Sequence, residues 1–161
     1  TASEATRLAV KKSPVPVLVK LSPNVSVNGF KKIAKQVELA GANAITATNT
    51  ITGLAIDAKA AKPVLTNTFG GVSGPALKPI AIRCVFDAYS QVKIPIIGTG
   101  GITNGIDAAE MILAGATAVG IGTAVYYRGI NVFKKINLEL TDFMKSEGYK
   151  KLSDFKGKAH R

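Results

Sequence analysis

The chain has 161 residues, 47% hydrophobic and 19% charged, which suits one globular domain with a sizeable core and excludes disorder. No apolar run nears the roughly 20 residues of a membrane span, and a single Cys (Cys84) and a single His (His160) exclude an internal disulfide, a multi-Cys metal site and a His-based triad. Lys plus Arg number 21 against 10 acidic residues, a net charge of +11 that favours anionic ligands; because the lysines are scattered and aromatics are only 6%, a solvated basic surface is expected rather than a nucleic-acid interface.

In chain order, residues 1–12 read as the end of a helix begun upstream. Residues 15–21 form an apolar, β-branched strand. Residues 29–40 carry Phe30, Ile33, Ala34, Val37 and Ala40 at helical spacing, and Gly41 closes that helix. A strand over 44–48 leads into a long connection from Asn49 to Pro79, in which 55–68 is expected to make an excursion or β-hairpin over the site. Helix 78–89, strand 94–98, helix 105–114, strand 118–122 and helix 132–146 follow. The basic tail, 147–161, is expected to be a solvated or frayed end, with His160 in it.

Two segments echo each other. Residues 37–45, VELAGANAI, and 111–119, MILAGATAV, both read as a helix end, a Gly-Ala turn and a strand. A repeated αβ unit with helical crossovers implies parallel strands. The Gly-rich motifs sit after the last two strands, where a (β/α)8 barrel places its phosphate site; a dinucleotide-binding sheet places its Gly fingerprint after the first strand. Four strands are half of eight, so the chain reads as a C-terminal half barrel, strands 5–8, in one domain over 1–161.

Five motifs carry chemistry. Gly98-Thr99-Gly100-Gly101-Ile102 offers backbone N–H groups to a phosphate, and Gly120-Ile121-Gly122-Thr123-Ala124 supplies the opposite wall. Lys20, inside an apolar strand, is expected to be buried against an anion or an electron-rich ring, where it would stabilise negative charge on a reduced flavin. Thr48-Asn49-Thr50 suits a planar amide or imide, and residues 70–79 form a Gly-rich loop running into a helix. Cys84 reads as a buried structural thiol.

These motifs, Val19-Lys20-Leu21-Ser22-Pro23-Asn24, Thr48-Asn49-Thr50, GGVSGPALKP over 70–79, Gly100-Gly101 and Gly122-Thr123, occur in an order that resembles the C-terminal half of a class 1 dihydroorotate dehydrogenase, most like the 1B type. The FMN domain of dihydropyrimidine dehydrogenase shares nearly all of them. The resemblance implies an FMN-binding barrel that oxidises dihydroorotate to orotate in pyrimidine biosynthesis. It implies flavin contacts at Lys20, Thr48 and Gly74. The FMN phosphate would lie at Gly100, Gly101, Gly122 and Thr123, and the pyrimidine at Asn49 and Thr50. It further implies a homo-oligomeric, cytoplasmic protein whose electrons pass to an iron–sulfur and FAD subunit. The family's catalytic base, a Cys in the 1B type, is expected N-terminal to Thr1, since Cys84 does not match it. The chain alone is therefore expected to bind FMN weakly at best and to catalyse nothing. The remaining alternative is a non-catalytic half barrel that binds a phosphorylated ligand.

Overall fold

A computed structural model describes residues 1–161. The elements run α1 (Ala2–Lys12), β1 (Leu18–Leu21), α2 (Val27–Leu39), β2 (Ala44–Ala47), β3 (Ile51–Gly53), β4 (Ile56–Asp57), β5 (Lys62–Pro63) and β6 (Gly70–Val72). Then follow α3 (Lys78–Tyr89), β7 (Ile96–Thr99), α4 (Gly105–Leu113), β8 (Ala118–Gly120), α5 (Ala124–Arg128) and α6 (Val132–Ser146). Thr1 caps α1 in a capping box with Glu4.

Four strands make one parallel sheet in the order β1-β2-β7-β8. Helices α2, α3 and α4 pack in the same order, so each strand is followed by its crossover helix. The Gly-Ala repeat has a defined cause. After α2, the Gly41 N–H donates to the Glu38 carbonyl and the Ala42 N–H to the Val37 carbonyl; after α4, Gly115 and Ala116 do the same to Ile112 and Met111. Both glycines hold positive φ, 99° and 119°, so each helix ends in a Schellman turn that returns the chain to the sheet.

The main core lies between sheet and helices: Phe30 and Val37 of α2, Ile45 of β2, Cys84 and Val85 of α3, Ile96 of β7 and Met111 of α4. The two outer strands are open edges. Leu18 of β1 is 51% exposed, and Ala118 of β8 is exposed. Edge position also corrects the expectation for Lys20, which is exposed: β1 has a neighbour on one side only.

Within the long connection, β4 and β5 form the expected hairpin, while β3 and β6 add an antiparallel pair outside the parallel sheet. The tail is not a frayed end. Phe155 is fully buried against Ala109 and Ile112, and the Gly157 N–H donates to the Ile112 carbonyl. His160 stacks on Phe86 with ring centroids 3.7 Å apart, and its Nε2 lies 3.0 Å from the Ala114 carbonyl oxygen. No helix is long and apolar enough to cross a membrane.

Candidate functional site

The C-terminal ends of the parallel strands share one cavity of about 160 Å³. It gathers Lys20 from β1, Thr48 and Thr50 after β2, Gly74 after β6, Gly100 and Gly101 after β7, and Gly122 and Thr123 after β8. Eight of the nine residues singled out from sequence thus meet in one place. Asn49 lies in an adjoining cleft with Asn24, Thr52 and Phe69, and Thr50 lines both spaces. The Asn49 N–H donates to the Leu21 carbonyl, which leaves its side chain exposed.

The cavity is an anion cradle. The N–H groups of Gly100, Gly101, Ile102, Gly122 and Thr123 have no acceptor within the chain. No carboxylate lines the wall, and Lys20, its one ionisable side chain, makes no ion pair. Unpaired N–H donors lining one cavity together with one cation suit a negatively charged oxygen cluster. Gly101 is confined to glycine twice over: its φ is +74°, and a Cβ would lie 2.6 Å from the Lys78 backbone nitrogen. A Cβ on Gly122 would meet nothing within 4 Å, so that lining position has room for a side chain.

Behind the cradle stand two ion-pair systems. Asp107 accepts from Lys78 Nζ at 2.7 Å and from the Thr103 N–H at 2.8 Å and hydroxyl at 2.7 Å. Burial pushes its carboxyl up, but these donors outweigh that and hold it below its ordinary 3.8. The hydrogen bond from Lys78 to Asp107, then the 2.8 Å ion pair with Glu110, raises the Lys78 ammonium above its ordinary value. On the other side, Arg128 pairs with Glu139, and that hydrogen bond holds the Glu139 carboxyl low. Both cations nearest the loop, Lys78 and Arg128, are therefore neutralised, and what the Gly-rich loops present is backbone N–H groups.

Sequence reasoning missed Thr103 as a lining residue, and Asn24 as a support. Asn24 Oδ1 accepts from the Thr52 N–H at 2.9 Å, and its Nδ2 donates to the Thr50 carbonyl at 3.3 Å, which fixes the segment carrying Asn49 and Thr50. Its place three residues beyond the end of β1, in the run Val19-Lys20-Leu21-Ser22-Pro23-Asn24, was the available signal.

A parallel sheet with helical crossovers and Gly-rich loops at the C-terminal ends of its last two strands is part of a (β/α)8 barrel. The family model for dihydroorotate dehydrogenase matches residues 2–144, and the chain belongs to that family. It is 48% identical over 144 residues to the catalytic subunit of dihydroorotate dehydrogenase B (NAD(+)) from Pyrococcus abyssi, covering 89% of this chain and 48% of that protein. Against the same subunit of Desulforamulus reducens it is 46% identical over 162 residues, covering 99% of this chain and 52% of that protein. The crystal structure of the Eimeria tenella DHODH in complex with ferulenol superposes with a TM-score of 0.78 at 30% identity, covering 91% of this chain and 39% of that one. The chain thus spans about half the length of the curated relatives it matches.

Proposed function

We propose that this chain supplies strands 5–8 of the FMN-binding barrel of a class 1B dihydroorotate dehydrogenase, as one domain over 1–161. The whole protein would oxidise dihydroorotate to orotate in the cytoplasm, within pyrimidine biosynthesis. The observation that carries the reading is the set of five N–H groups without acceptors on two facing glycine motifs. A phosphate monoester fits them: its oxygens need donors on several sides, and no carboxylate repels it.

In this reading Gly100, Gly101, Gly122 and Thr123 hold the FMN phosphate, while Gly74 and Thr48 border the flavin. Bound there, FMN supplies the acceptor for a hydride from the substrate. Thr48 is well placed to hold its shape, being 2% exposed with its N–H bonded to the Thr99 carbonyl. Lys20 brings an unpaired positive charge beside Thr48 and Thr50, where negative charge on the ring or the carboxylate of orotate would be stabilised. Asn49 and Thr50 contact the pyrimidine, and Asn24 keeps their backbone in register.

The proton-abstracting base is assigned to the part of the protein outside this chain. Cys84 is unsuited to that role: burial pushes its thiol up to about 11, and it lies in the core between α3 and the sheet. The electron-accepting partner is an iron–sulfur and FAD subunit, and the complete protein is a homo-oligomer.

The test is an amide-resolved NMR titration of the chain with FMN and, separately, with riboflavin, which lacks the phosphate. FMN is expected to shift the amides of Gly100, Gly101, Ile102, Gly122 and Thr123, and riboflavin to leave them in place. Equal responses to both ligands, or none at these amides, would reject the phosphate assignment.

A further inference from the structure

We propose that Arg128 is a positioning residue that locks the two walls of the cradle together and so sets their spacing for a tetrahedral phosphate. The inference rests on the reading of the cradle as a phosphate site and adds the device that shapes it.

Arg128 ends α5, the short helix that follows Gly122 and Thr123, so it moves with the β8 wall. Its Nη1 donates to the Thr103 carbonyl, on the β7 wall, at 2.7 Å. The same guanidinium grips Glu139 of α6 through Nη2 at 2.5 Å and Nη1 at 3.2 Å. Glu139 Oε2 in turn accepts from the Gly105 N–H at 2.8 Å. The loop bearing Gly100, Gly101 and Ile102 is therefore pinned at Thr103 and at Gly105 by one pair rooted in α5 and α6. Asp107 holds that loop to α3 and α4, and the Arg128–Glu139 pair ties it to the β8 side, with Arg128 making the bond nearest the cradle, at Thr103.

The chemistry requires arginine. A planar fork serves two acceptors at fixed angles, whereas an ammonium offers one compact point of charge. Because Glu139 neutralises the guanidinium, its influence on the cradle is geometric. Two walls held at one spacing bind a phosphate as a single site; two walls free to shift bind it as two half-sites.

Titration of the chain with inorganic phosphate, read at individual amides, tests this. In the unsubstituted chain, Gly101 and Ile102 on one wall and Gly122 and Thr123 on the other are expected to follow one dissociation constant. In Arg128→Ala the affinity read at Gly101 and Ile102 is expected to fall roughly tenfold, the scale of a lost charge-assisted hydrogen bond, and the two walls to titrate apart. Loss of overall stability would weaken both walls alike and would not separate them. Arg128→Lys keeps the charge and serves if the alanine variant does not fold; it is expected to separate the walls with a smaller loss. Single-constant titration with unchanged affinity in both variants would overturn the role of Arg128 and leave the phosphate site standing. Silence of all the cradle amides in the unsubstituted chain would overturn the phosphate site itself, and this inference with it.

Discussion

Lys78 Nζ lies 2.7 Å from Asp107 Oδ1, and this contact joins α3 to α4 directly behind Gly101. Asp107 also caps α4 by accepting from the Asn104 N–H while Asn104 accepts from the Asp107 N–H. One buried carboxylate thus serves a helix cap, an ion pair and the cradle loop.

The pH dependence of that carboxylate follows from the direction of its shift. Asp107 is held below 3.8 in the folded chain, so its contribution is fully present above that value and fades as pH falls through the folded pKa. Lys78 is raised above 10.5, so its contribution is complete below that value and is lost as pH climbs through the folded pKa. Asp107→Asn is expected to cost about 2 kcal/mol between these limits. Chemical denaturation across pH should show the difference from the unsubstituted chain vanish in strong acid.

Two glycines on opposite walls should respond in opposite ways. Gly101→Ala forces a Cβ onto the Lys78 backbone at positive φ and is expected to cost about 2 kcal/mol or more, with a clear drop in Tm. Gly122→Ala meets no atom within 4 Å and should leave Tm within error. Gly122 lines the cavity, so phosphate affinity should still fall. A melting curve and a phosphate titration on each variant separate folding from binding.

The tail is expected to stabilise the fold. Phe155 is 0% exposed in the smaller core cluster, so Phe155→Ala should cost roughly 3 kcal/mol. Denaturant unfolding of the full-length variant measures this, and a cost under about 0.5 kcal/mol would make the tail a surface ornament.

Cys84 should resist thiol reagents. With its pKa near 11 and its side chain in the core, little thiolate forms at pH 8. Labelling is expected to be slow in the folded chain and fast in denaturant; fast labelling in the folded state would contradict the burial.

Much of this was legible from residues alone. Helices α3 and α6 fall on the expected spans, because their apolar stripes and flanking Pro79 and Gly148 mark them locally. The cradle glycines were legible because phosphate chemistry asks for glycine at strand ends. Residues 15–17 were not: Val17 bonds the Asn43 side chain instead of joining the ladder, and Pro16 has no N–H to give. Strands β3 and β6 pair across the intervening hairpin with three residues each, too short to show a period. The Arg128–Glu139 clamp spans α5 and α6 with no motif of its own, since it is made by packing. His160 looked terminal and solvated; its stacking on Phe86 depends on a turn at Gly157 that places the ring back over α3.

The two outer strands are where the rest of the proposed barrel would join. β1 and β8 each have a hydrogen-bonded neighbour on one side only. A closed (β/α)8 barrel has no such edge, so in that reading each outer strand would complete its ladder with a strand from outside this chain. The cavity lies at the C-terminal ends of this same sheet, with Lys20 of β1 on one side and Gly122 and Thr123 after β8 on the other. Closure of the ladder would therefore also enclose the ligand from the sides this chain leaves open.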